Sequence, residues 1–295
     1  MTEQAFIFDR ALLARRLDRV APLASSHDFL IERVAEDFAE RLAIVKRRFD
    51  HGLNIDAYHG LLSRRLRALP SVGEMADAGL SPVMLAHCEG PRVLGDVEAL
   101  PFGEGSLDLV VSALSLQLVN DLPGALIQLR RALKPDGLLL AAVLGGDTLK
   151  ELKQAWLIAE EEMTGGVSPR VAPFADVRAL GGLLQRAGFA LPVADSDVVT
   201  VTYESPLALM REIKGMGCSN MLAARRRVPA GRGLLMRAAE VYQQLFGLPG
   251  GRVPATFEIV TLTGWVPHES QQKPLRPGSA QVRLADALGR VKDKE

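Results

Sequence analysis

The sequence carries no excess of either charge, because its 35 basic and 35 acidic side chains cancel. No broad field is available to recruit nucleic acid or an anionic membrane surface, so neither is expected as a partner. Cysteine is scarce. Two thiols, Cys88 and Cys218, are too few and too far apart for a disulfide framework or a metal cluster, which makes a reducing cytoplasm the natural compartment. Long hydrophobic runs are missing as well: the longest wholly apolar stretch, 138–144, is about a third of what spans a bilayer and reads as a buried strand. The amino-terminal segment is arginine-rich but contains Glu3 and Asp9 and lacks an apolar core, which disfavours a secretory signal and leaves a transit segment open. There is no internal repeat, and no Ser-His-Asp pattern, metal-ligand spacing or setting for a nucleophilic cysteine is visible.

What is present is a chain of 295 residues, 48% of them hydrophobic, long enough for one large α/β domain or for a core domain with an elaboration. In 28–49, Leu30, Val34, Phe38, Leu42 and Val45 fall about four apart and predict an amphipathic leading helix. A rhythm follows: strand 53–57, helix 59–69, strand 72–77, a helix opened by Ser81 and Pro82, and strand 91–96. The continuous apolar runs 107–114 and 138–144 predict central parallel strands, with a helix over 123–133 between them and a KPDG turn at its end. Alternating strands and helices imply parallel pairing.

Beyond Asp147 the pattern predicts a helix capped by that residue and a second over 175–187 stopped by Gly188. Segments 197–203 and 257–266 are rich in β-branched and aromatic residues and read as strands; helices near 206–216 and 231–246 separate them. The expected organisation is a helical region over 1–50, an α/β domain over 51–270 with a helical insertion at about 204–250 before the last strand, and a polar tail from 271 whose end is expected to be mobile.

An open parallel sheet binds ligands beyond the carboxyl ends of its strands. The first such loop should read acid-x-Gly-x-Gly-x-Gly, since the glycines let backbone approach a cofactor and the acid steadies its polar end. Here the corresponding residues are Asn54, Asp56, Tyr58 and Gly60, so only the last glycine is kept, and an ordinary tight turn is the competing reading. The second loop should end its strand on an acid that takes two ribose hydroxyls, but Gly79 occupies that place. Asp77, two residues earlier, would keep the same face of a strand and could substitute, or could be a solvent-facing acid. In the third loop Asp96 is placed to accept an adenine amino group and Val97 to offer backbone, although Asp96 could also cap a turn. Leu114, at the end of the fourth strand, completes the cofactor candidates. For chemistry the candidates are Asp147 after the fifth strand and His268 with Glu269 after the last; a helix cap and a surface turn are their rival roles, and Asn120 and Asp121 follow strand four. Arg225, Arg226 and Arg227 form either a solvated loop or a local basic patch.

The stretches GDVEALPF, LDLVVSALSLQLVNDLPGAL, LKPDGLL and GGDTLKEL together resemble the class I methyltransferase superfamily. That resemblance implies a Rossmann-like α/β fold, with a seven-stranded, mostly parallel sheet, and S-adenosylmethionine (SAM) as the cofactor. PFADVRALGGLLQRAGF, LMREIKGMG, RVPATFEI and GWVPHESQQKPLRPGSA resemble the branch that contains the mitochondrial complex I assembly factors that hydroxylate an arginine, with the likeness running over about 7–280. The implied substrate is a protein, with a complex I subunit as partner, and the implied reaction is arginine hydroxylation or methyl transfer. Malonyl-carrier-protein methyltransferases of biotin synthesis share the middle motifs, including a residue like Gln117, but lack the HESQ stretch. The assembly-factor branch usually has His-Trp where this chain has Gln117 and Leu118, and usually glutamate where it has Cys218.

An absent ribose acid would remove two charge-assisted hydrogen bonds of about 1.5 to 3 kcal/mol each, which predicts a loss of roughly a hundredfold or more in affinity. Asp56 adds bulk where a glycine would pass the cofactor, yet its charge could attract an ammonium or sulfonium; Tyr58 could stack on the ligand or cover an empty cleft. Two classes of function are therefore expected: a SAM-dependent enzyme, or a relative that has lost SAM and uses the same surface to bind a partner.

Overall fold

The computed structural model describes residues 6–272. Helix α1 (Arg10–Val20) starts where the Asp9 carboxylate accepts the Leu12 N–H at 2.9 Å, and a short 3-10 segment (Ala21–Ser26) leads to α2 (Phe29–Ala43). The stripe Leu30, Val34, Phe38 and Leu42 is buried as its spacing predicts, but α2 stops at Ala43, short of Val45. Next come β1 (Phe49–Ile55), α3 (Leu61–Arg67), β2 (Val72–Gly79), the single turn α4 (Pro82–Leu85) capped by Ser81, and β3 (Arg92–Leu94). The second half adds β4 (Leu107–Ala113), α5 (Leu122–Ala132), β5 (Leu133–Leu144), α6 (Lys150–Thr164), α7 (Val177–Arg186) and β6 (Ala190–Tyr203). Helices α8 (Pro206–Gly215) and α9 (Arg232–Phe246) then separate β6 from β7 (Val253–Trp265).

The seven strands form one sheet in the order β3-β2-β1-β4-β5-β7-β6, parallel from β3 to β5. This is the Rossmann-like α/β fold expected. Alternation of side chains divides the core cleanly. Leu138, Leu140 and Ala142 of β5 face α2, α3, α6 and α9, while Leu139, Ala141 and Val143 face α5 and α7.

Two details differ from expectation. Helix α6 is not capped by Asp147: it begins at Lys150, after Leu149 takes a φ of 55°, donates its N–H to Thr256 O at 2.7 Å and packs against the core. Anchoring on β7 fixes the turn there, two residues past the polar residue that looked like a cap. Strand β7 also runs antiparallel to β5, pairing Leu138 with Trp265 and Leu144 with Ile259, so its carboxyl end lies at the amino ends of the parallel strands. Among the described residues no helix is long and apolar enough to cross a membrane, and no group of three or more acidic, histidine or cysteine side chains is arranged to hold a metal. Of the tail expected from 271, all but its first two residues lies outside the described residues.

Candidate functional site

Above the carboxyl ends of β1, β2 and β4 is a cavity of about 400 Å³, a volume usual for ligand sites. Its floor is made by Asp56 and Tyr58 after β1, Gly79 to Ser81 after β2, and Leu114, Ser115 and Gln117 after β4. Its roof comes from the amino-terminal helices through Phe8, Leu13 and Leu17, and from the helical insertion through Met210, Ile213 and Met216. Among the described residues Asp56 is the only carboxylate in the lining. Burial pushes its pKa up to about 6; the nearby Arg10 charge pulls it down, and Asp96 pushes it up again.

The loop after β1 is built from left-handed residues: Asp56 at φ 49°, Tyr58 at 50° and Gly60 at 80°. Gly60 has a local reason to be glycine, because a Cβ there would stand 3.0 Å from the Cys88 Cα in addition to the cost of its φ. The Tyr58 hydroxyl and the Gln117 Oε1 are buried and have no hydrogen-bond partner among the described residues. Burial raises the Tyr58 pKa. Gln117 donates its Nε2 hydrogen to Leu114 O at 2.7 Å, which leaves its oxygen as a buried acceptor in the cavity wall.

Asn54 and Asp77 lie elsewhere. They are register partners on β1 and β2, both buried, and Asn54 Nδ2 donates to Asp77 Oδ1 at 3.0 Å. Ser63 donates to the same oxygen, and Arg67 reaches Oδ2 at 3.2 Å. Burial pushes the Asp77 pKa up, against those hydrogen bonds and the Arg67 charge. Asp77 is thus neither a solvent-facing acid nor available to a ribose in the cavity: α3 covers it.

Asp96 and Val97 line a groove with Ile55, Asp56 and Gly79 that is too tight for a water molecule. The Asp96 oxygens are held by Arg10, through Nη2 at 2.6 Å and Nε at 3.0 Å, and Oδ1 also accepts the Glu98 N–H, so any adenine contact would be a further one. Asn120 is structural: its Oδ1 accepts the Phe8 N–H at 2.8 Å and tethers the segment before α1, while Asp121 caps α5.

The catalytic candidates do not gather at the cleft. Asp147 is exposed, pairs with Lys150 at 3.3 Å and is outside the cavity lining. His268 and Glu269 follow an antiparallel strand and stand at the opposite end of the sheet, where the neighbouring Gln271 donates to Asp136 at 2.8 Å. Of the arginine run, Arg225 is engaged with Asp9 at 3.0 Å. The sequence reading missed Arg10, which acts 86 residues away on Asp96, and Arg170, which pairs with Glu160 and lies 4.4 Å over the Trp156 ring in the cavity wall. No short-range pattern marks either contact.

Sheet order and cleft position together define a methyltransferase-type protein, and the family model described as a methyltransferase domain matches residues 38–141. The chain is 38% identical over 288 residues to the mitochondrial arginine-hydroxylase NDUFAF5 of Danio rerio, covering 95% of this chain and 89% of that one. It is 32% identical over 305 residues to the malonyl-[acyl-carrier protein] O-methyltransferase of Methylovorus sp. (strain MP688), covering 99% and 97%. The YcgJ protein of Bacillus subtilis shares the fold, with a TM-score of 0.55 at 15% identity over 80% of this chain and 99% of that one. The chain belongs to the class I SAM-dependent methyltransferase superfamily, in the NDUFAF5-like branch.

Proposed function

We propose that this chain is a SAM-dependent enzyme that modifies an arginine of a protein substrate, a subunit of respiratory complex I during its assembly, in the cytoplasm. The observation that carries the reading is the cavity: a roofed, largely apolar space over the carboxyl ends of β1, β2 and β4, lined among the described residues by one carboxylate, Asp56. The residues present suit SAM. A Cβ built at Gly79 would meet the Asp56 Cα and Leu85 at ordinary van der Waals distance, 3.7 Å, and the Tyr58 and Gln117 oxygens are buried polar atoms awaiting partners. Asp56, Tyr58, Gly79, Leu80, Leu114 and Gln117 would hold the cofactor, and Asp96 with Val97 would back it. SAM supplies an electrophilic methyl group on a sulfonium.

The chain's own contribution is positioning and exclusion of water. The roof of α1, α2 and α8 closes the space over the strand ends, and a substrate arginine entering it lays its methylene stem against the leucine and methionine walls. The near full-length similarity to an arginine hydroxylase supports arginine as the target. A second reading, methyl transfer to a carboxyl group on an acyl-carrier protein, draws on the relative of that name that covers nearly all of this chain.

Complex I isolated from cells with and without this chain decides between them by peptide mass spectrometry. An arginine that loses an added methyl group, or an added oxygen drawn from dioxygen with a reductant supplied from outside the chain, when the chain is missing supports the proposal. An unchanged modification map overturns it, and formation of a carrier-protein methyl ester by the purified chain transfers support to the second reading.

A further inference from the structure

The two acids expected at positions 54 and 79 are missing from those positions but not from the structure. Position 54 pairs in register with Asp77, and Ile55 pairs with Ala78, so the next step of the same ladder sets Asp56 opposite Gly79. The Ala57 N–H donates to Ala78 O at 2.9 Å, which carries the pairing past the formal end of β1. A Cβ at Gly79 would meet the Asp56 Cα at 3.7 Å and the Ala57 N at 3.8 Å. Each expected acid is therefore found one strand over, on the residue directly across the parallel pair.

The lower pair is self-contained. Asp77 receives hydrogen bonds from Asn54, Ser63 and Arg67 and ties β2 to β1 and α3 at the base of the loop, so it takes over none of the ligand contact expected of an acid at 54. The upper pair opens on the cavity. We propose that the carboxylates have been exchanged between β1 and β2, so that Asp56 is the residue that accepts the ribose hydroxyls of an adenosine-containing ligand in place of an acid at 79. Glycine at 79 is the necessary complement, because a second acid there would bring two like charges together beside the Asp56 backbone. The expected affinity loss from Gly79 then does not arise. This assignment rests on the reading of the cavity as a SAM site.

Calorimetric titration of the full chain with S-adenosylhomocysteine and with its 2′-deoxy analogue tests it without any turnover. The wild type should prefer the complete ribose by about tenfold or more. Asp56→Asn should bind S-adenosylhomocysteine about tenfold more weakly and lose most of that preference, while its ligand-free melting temperature shows that it is folded. The double variant Asp56→Gly with Gly79→Asp returns the acid to β2 and should recover affinity to within about threefold of wild type, whereas Asp56→Gly alone should not. Unchanged affinity and preference in Asp56→Asn, in a wild type that binds, would overturn the exchange and leave the SAM reading standing. A folded wild type that binds neither compound would overturn the SAM reading itself.

Discussion

Asp56 shows how a single side chain can oppose stability while serving a site. Burial pushes its carboxyl from the ordinary 3.8 up to about 6, so the folded chain keeps the neutral form over a wider pH range than the unfolded one. For a raised carboxyl the stabilising contribution is present below the unfolded pKa and is lost as pH rises through the folded one. Above pH 6 the ionised group therefore costs up to about 3 kcal/mol, less whatever solvent screening removes. Asp56→Asn should melt higher than wild type at pH 7.5, and the gap should close as pH falls from about 6 toward 4. Differential scanning calorimetry across that range checks it; a variant that melts lower than wild type at pH 7.5 would mean that Asp56 is held by an ion pair. Gly60 makes the converse point. It was readable as the remnant of a cofactor loop, but its glycine is already demanded by a left-handed φ and the Cys88 backbone, which only the folded chain brings together.

At the scale of elements, legibility followed periodicity and burial. Helices α5, α7, α8 and α9 lie within a few residues of where apolar spacing put them, and the apolar runs of β4 and β5 became central strands. Polar strand ends were harder. The start of β1 holds exposed Asp50 and His51, and β6 is an edge strand exposed along much of its length, so both are longer than the apolar stretches that announced them. Direction was not readable at all, since a β-branched run carries the same composition either way along the sheet. That is why His268 and Glu269 were expected at the cleft and stand at the far end. His268→Ala and Glu269→Ala should therefore leave affinity for S-adenosylhomocysteine within about twofold of wild type by calorimetry. A tenfold loss in either would require the segment after β7 to reach the cavity by a path other than the one it follows here.

The whole molecule depends on contacts that close the amino-terminal helices and the insertion over one end of the sheet. Arg10 is central to that closure: its guanidinium grips both Asp96 oxygens, donates to Leu118 O at 3.1 Å, and is 9% exposed. Asn120 holds Phe8, His27 and Glu212 join the start of α2 to α8 at 2.9 Å, and Arg225 joins the insertion to Asp9 at 3.0 Å. Removing one partner from a largely buried pair leaves the other short of compensation, at a cost of about 3 kcal/mol. Unfolding entropy scales with chain length, so for a chain of 295 residues that corresponds to a fall of about 5 °C in melting temperature for Arg10→Ala. Arg33 also makes a close ion pair, 2.6 Å to Asp197, but both side chains are more than half exposed. Arg33→Ala should cost less than about 1 kcal/mol, and its melting temperature should fall by no more than about 2 °C. Hydrogen exchange separates loss of closure from general weakening. In Arg10→Ala the amides of α1 should exchange faster while those of β4 and β5 keep their protection, because α1 is held to the rest through side-chain contacts of Arg10, Arg16 and Asp18 and through small apolar clusters around Phe8 and Leu13 and around Leu17, Val20 and Met84. Equal melting temperatures for the two variants would show that the Arg10 pair is as weak as a surface one and that the remaining polar and apolar contacts hold the roof without it.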